Sequence, residues 1–73
     1  MEEKKIQKTE TIGNKIKNWR KKRNLTQDAL SKRAKIPYTT LAKLESNVIL
    51  NPSLQTIPKI ADGLNTTIDN LIM

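Results

Sequence analysis

Thr26 to Ser46 reads TQDALSKRAKIPYTTLAKLES, and the fold turns on how this stretch divides. Thr26 has the hydroxyl of a helix N-cap, and Asp28 in the following first turn suits the positive end of the helix dipole. Leu30 and Ala34, spaced i and i+4, form an inward stripe with the small Ser31 beside it. Lys35–Ile36 supplies a short turn. Pro37 opens the next helix, because its fixed φ suits a first turn and biases Ile36 towards extended backbone. Leu41 and Leu44 are the inward pair of that second helix. A small residue, a two- or three-residue turn and paired apolar knobs are what two helices need to cross at about 90–120°. The crossing leaves Pro37, Tyr38, Thr39, Ala42 and Lys43 on the outward side.

The pattern continues on both flanks. Upstream, Ile12, Ile16 and Trp19 recur at i, i+4 and i+7, which predicts a helix ending near Arg23–Asn24, where Asn can adopt the left-handed conformation. Downstream, SNVILNP (46–52) interrupts the periodicity. Ser53 is expected to cap a fourth helix with Leu54, Ile57, Ile60, Ala61 and Leu64 inward, so Pro58 implies a kink or a later start. Asn65 is expected to stop it, and Thr67 to cap a short last helix with Ile68, Leu71 and Ile72. No strand-like alternation occurs. The fold class is all-α, a compact five-helix domain over residues 11–73. Residues 1–10, MEEKKIQKTE, lack a period and are dense in charge, so they are expected to form a flexible tail.

At 73 residues and 36% hydrophobic, the chain holds about 26 apolar side chains, enough for one small core. It has no Cys and no His, so thiolate and imidazole metal ligands, disulfides and a thiol nucleophile are excluded. No cofactor or metal is expected. Asp62 and Asp69 are too isolated to argue for a catalytic carboxylate pair, and an enzyme is not expected. No apolar run approaches the ~20 residues of a membrane span. The charged start has no secretory core, so an intracellular, soluble chain is the expectation. The net charge of +7 is uneven: residues 1–43 carry 13 basic and 4 acidic side chains, residues 44–73 carry 1 and 3. A polyanion is the natural partner of the first part, nucleic acid before an anionic membrane.

TQDALSKRAKIPYTTLAKLES resembles the helix-turn-helix of the lambda-repressor and Cro-type family. The resemblance extends through IGNKIKNWRKKRNLTQ upstream and NPSLQTIPKIADGLNTTIDNLI downstream, covering residues 12–72. It implies a sequence-specific double-stranded DNA-binding transcriptional regulator, a repressor acting as a cytoplasmic homodimer with its third helix in the major groove. Carried over residue by residue, it gives Gln27 a phosphate contact and sets Tyr38, Thr39 and Lys43 at base edges. Thr40 and Ser46 would hold the DNA backbone, with Pro37 also at the interface. Arg20 and Glu45 match a family ion pair between helix 1 and the end of the recognition helix. Lys35 stands where the family usually has Gly. A non-Gly residue at positive φ costs ~1–2 kcal/mol, so the turn is expected to be strained or shifted.

Other readings compete at single residues. Trp19 suits core packing better than base stacking. The run Arg20-Lys21-Lys22-Arg23 fits a nucleic-acid patch or a solvated helix face equally. Tyr38 favours a groove or phosphate contact over covering the core edge. Glu45, an acid in a basic region, favours pairing with Arg20. Val48, Ile49 and Leu50 either fold back on the core or meet another chain, and the C-terminal helix raises the same question. Two other functions remain open: an antitoxin binding both an operator and a toxin, and a helical protein-interaction module that does not bind DNA. A basic helix lying on a membrane is disfavoured by the capped, multi-helical pattern.

Overall fold

The Thr11 hydroxyl accepts from the Asn14 amide at 3.1 Å and caps the first helix. The structure is a computed structural model and describes residues 11–72; the tail expected over residues 1–10 lies outside the described residues. Five helices follow in order, α1 (Ile12–Lys22), α2 (Gln27–Ala34), α3 (Tyr38–Glu45), α4 (Thr56–Gly63) and α5 (Ile68–Ile72), and the described residues contain no strand. Thr26 caps α2 through the Ala29 amide, and the Thr67 hydroxyl accepts from Asn70 at the start of α5.

Four helices end in one way. Asn24, Lys35, Asn47 and Asn65 take left-handed φ values of 57°, 58°, 65° and 56°. At each, the next amide reaches back five residues: Leu25 to Arg20, Ile36 to Ser31, Val48 to Lys43 and Thr66 to Ala61. This is the Schellman closure, which satisfies carbonyls the helix leaves open. Asn tolerates the left-handed region through local side-chain bonding. Lys35 has no such help, so the α2–α3 turn keeps its geometry at a steric cost and is not shifted.

Ile16, Leu30, Leu41, Leu44, Ile60, Leu64 and Leu71 are fully buried, so every helix contributes to one core. Burying each contributes about 1.5–3 kcal/mol. The packing pairs are α2 with α4, α1 with α3, α2 with α3, and α5 with α1 and α4. Gly13 makes the α1–α3 contact possible, because a Cβ there would stand 1.9 Å from the Leu44 carbonyl oxygen.

The fourth helix departs from the sequence expectation. It begins at Thr56, which puts Pro58 within its first turn, where a missing amide costs no helical hydrogen bond. Ser53 caps only the turn before it, accepting from the Thr56 amide at 3.1 Å. Leu54, expected inward, is 87% exposed because residues 54 and 55 lie in that turn, off the helix's inner stripe. Ile57 is half-buried, and Ile60, Ala61 and Leu64 are buried as expected. Pro37 is the residue flanking α3 rather than part of its first turn.

Candidate nucleic-acid interface

α3 has two unlike sides. Leu41, Leu44 and Glu45 are buried, while Pro37, Tyr38, Thr39, Lys43 and Ser46 are exposed. Thr40 and Ala42 are half-buried at the boundary. Thr39 and Lys43, four residues apart, share the outward face. The Ser46 hydroxyl turns back to the Lys43 carbonyl at 3.3 Å. Unlike α1 and α2, α3 has no side-chain cap on its first amides, because Pro37 precedes it.

The buried side is held by charge. The Glu45 side chain is 1% exposed and meets the Arg20 guanidinium twice, Nε to Oε2 at 2.8 Å and Nη2 to Oε1 at 3.0 Å. Arg20 Nη1 also donates to the Leu25 carbonyl at 2.8 Å. One guanidinium therefore ties α1 to α3 and to the loop entering α2. This fork matches the planar, two-pronged geometry in which arginine holds carboxylates best.

The same carboxylate reaches α2. Gln27 Nε2 donates to Glu45 Oε1 at 3.1 Å, and the Tyr38 hydroxyl donates to Gln27 Oε1 at 3.1 Å. Arg20, Glu45, Gln27 and Tyr38 thus form a continuous chain from the buried α1–α3 contact to the exposed front of α3. Sequence reasoning placed Gln27 and Tyr38 on the interface but missed their link to Glu45. The contact spans 18 residues, and no local pattern encodes it.

The basic run of α1 divides. Arg20 is committed to Glu45. Arg23 donates from Nε to the Leu64 carbonyl at 2.9 Å and from Nη2 to the Asn65 carbonyl at 3.1 Å, closing the C-terminal end of α4. Trp19 is half-buried against the core, as its spacing suggested, with Lys22 Nζ 4.9 Å and Arg23 Cζ 5.2 Å from its ring centre. Lys21 and Lys22 stay on the surface, Lys22 over the outer face of the Trp19 ring.

A second surface is apolar. Val48, Leu50, Leu54 and Ile72 are exposed, and Ile49 alone of its loop folds against the core. Leu50, Pro52, Ile57 and Ile72, together with Lys15 and Asn51, border a groove of about 280 Å³. From residue 44 to residue 58 the sequence has a single charged side chain, the buried Glu45. Among the described residues, no group of three or more His, Cys, Asp or Glu side chains could hold a metal ion, and no helix is long and apolar enough to cross a membrane.

A helix-turn-helix family model matches residues 16–71. The chain is 30% identical over 61 residues to the HTH-type transcriptional regulator SinR of Bacillus subtilis (strain 168), and equally to that of Bacillus licheniformis. Each match covers 84% of this chain and 55% of the relative, so the chain spans about half the length of these regulators. The fold is similar to the crystal structure of SinR, the master regulator for biofilm formation, in complex with DNA, with a TM-score of 0.81 and 30% identity over 84% of this chain and 97% of that one. The five helices, the α2–α3 corner and the family match together establish that this chain belongs to the helix-turn-helix family of the lambda-repressor and Cro type.

Proposed function

We propose that this chain is a sequence-specific double-stranded DNA-binding repressor of transcription that inserts α3 into the major groove. The observation that carries the reading is the division of α3, a helix locked from behind by a buried ion pair and open in front with Tyr38, Thr39 and Lys43. Lys43 can donate to guanine O6 and N7, and the Thr39 methyl can meet a thymine methyl. Thr40, the second amide proton of Gln27 and, once its hydroxyl turns away from the Lys43 carbonyl, Ser46 suit phosphates, with Pro37 beside them. The similarity to a regulator solved on DNA supports the same docking. The chain acts in the cytoplasm and catalyses no reaction.

The working form is a homodimer. A chain of net charge +7 repels a second copy most weakly where it carries no net charge, and the exposed apolar side chains Val48, Leu50 and Leu54 lie in such a stretch. Two copies would then address half-sites one helical turn, ~34 Å, apart. Sedimentation with and without a duplex measures this. A single copy on an asymmetric site would remove the dimer.

Lys43 and Lys17 separate readout from simple charge attraction. Both are lysines, on α3 and α1. Lys43→Ala should cost ~1–3 kcal/mol on the preferred duplex and relax preference at one base pair. Lys17→Ala should weaken all duplexes alike and lower the salt slope. Anisotropy titrations against single-base variants at two salt concentrations make the comparison. Identical specificity profiles would take Lys43 out of the base-reading set.

A further inference from the structure

The chain of contacts behind Tyr38 has a direction. The Glu45 carboxylate takes both prongs of Arg20 and, in this ion pair, can only accept. Gln27 must therefore turn its amino group towards Glu45; the flipped amide would set two acceptors against each other. Its carbonyl oxygen then faces Tyr38, and a carbonyl oxygen only accepts, so the Tyr38 hydroxyl spends its one proton on Gln27 at 3.1 Å. The orientation of both groups follows from the acid at the end of the chain and needs no observed hydrogen.

What Tyr38 presents outward is a pair of acceptor lone pairs. Phosphate oxygens, guanine O6 and N7, thymine O4 and adenine N7 are themselves acceptors and have nothing to give it. In the major groove the donors are the exocyclic amino groups, N4 of cytosine and N6 of adenine. We infer that Tyr38 is a specificity-determining residue that accepts a hydrogen bond from a base amino group, with Gln27 and Glu45 as the positioning residues that set its polarity. Tyr38 is 49% exposed at the front of α3 and its hydroxyl bonds to Gln27 at the surface, so its oxygen is open to such a group. The assignment rests on the DNA-binding reading, within which it converts a contact of unspecified kind into a chemical preference. It also removes Tyr38 from the phosphate contacts.

The test uses the full chain. Selection of bound sequences from random duplexes, with the unmodified protein and with Tyr38→Phe, locates the position at which preference changes. Anisotropy then compares the selected duplex with one in which that base lacks its amino group, purine replacing adenine or 2-pyrimidinone replacing cytosine. The unmodified protein should lose about five- to tenfold in affinity on the amino-less duplex, the worth of one hydrogen bond. Tyr38→Phe, which keeps the exposed ring, should lose a similar factor on the natural duplex and nothing further on the analogue. Whichever analogue is silent with Tyr38→Phe and costly for the unmodified protein identifies the base. Gln27→Ala frees the hydroxyl to rotate, so preference at that one position should broaden to include guanine or thymine. A phosphate contact alone would lower all duplexes together.

Unchanged selection by Tyr38→Phe overturns the assignment, and so does a Tyr38-dependent preference for guanine or thymine. A protein that cannot tell its selected duplex from a scrambled one fails earlier, and both the DNA-binding reading and this inference fall with it.

Discussion

The two ends of α3 belong to one helix of eight residues and obey opposite rules. At its C-terminal end, Leu44 and Glu45 are buried, Gly13 lies against the Leu44 carbonyl, and Asn47 bonds to Thr11 and Asn14 across the α1 start. At its N-terminal end, Pro37, Tyr38 and Thr39 face outward behind a turn closed by a strained Lys35. The first end has almost no freedom of side chain or approach. The second is constrained in backbone but not in side-chain identity. The proposed recognition role of α3 needs both: a base that cannot shift, and a face whose residues can differ without unfolding the domain.

Removing Glu45 should break the comparison most severely. Glu45→Ala leaves Arg20 partly buried and unpaired, and loss of one partner from a buried ion pair costs about 3–5 kcal/mol. Because the Arg20 side chain keeps 14% exposure, the lower end of that range is expected. Urea denaturation measures it, and a loss under about 1 kcal/mol would mean the pair is no more than a surface bridge. By contrast, the exposed i,i+4 bridge of Lys32 and Asp28, at 3.3 Å, should be nearly silent to substitution.

Gly13→Ala tests closeness rather than charge. A Cβ 1.9 Å from a backbone oxygen cannot be absorbed by a side-chain rotation, so α1 must move away from α3. Overpacking of this kind costs roughly 1–3 kcal/mol. Thermal melting would show it, and an unchanged midpoint would mean that the α1–α3 contact is looser than 1.9 Å implies.

Lys35→Gly sharpens the contrast with a change of opposite sign. Gly relieves ~1–2 kcal/mol of left-handed strain but adds about 0.5–1 kcal/mol of unfolded-chain entropy. Relief exceeds entropy, and a net gain of about 0.5–1 kcal/mol is expected in urea denaturation. The same change at the neighbouring caps should gain less, because Asn24, Asn47 and Asn65 already tolerate that conformation. A destabilised Lys35→Gly would show that the lysine side chain contributes more at the turn than its backbone costs.

Much of this molecule was legible in its sequence. Helix positions follow from apolar residues three and four apart, and their ends from Thr11, Thr26 and Thr67 at the starts and asparagines at the stops; of these only Thr11 and Asn47 escaped notice. Such signals are local, carried within one turn, and they specify helices before any tertiary contact forms. The crossing of two short helices placed the outward face of α3, and the resemblance to the family matched Arg20 to Glu45. Gly13 did offer a signal, an isolated glycine inside a helical pattern, which marks close packing but not against what.

Contacts between distant segments were decided only by the tertiary structure. Gln27 meets Glu45 across 18 residues, and Arg23 reaches the Leu64 carbonyl across 41. Leu54 shows the converse: its spacing suits a core stripe, yet a helix starting two residues later leaves it in solvent. Periodicity states which residues share a face, and the amino acids by themselves determine that much. Which face meets which neighbour, at what distance and with which polar group to satisfy, depends on how five helices cross once they share a single core. Burial then turns an ordinary glutamate into the anchor that orients Gln27 and Tyr38, because a buried carboxylate must find every donor it can reach.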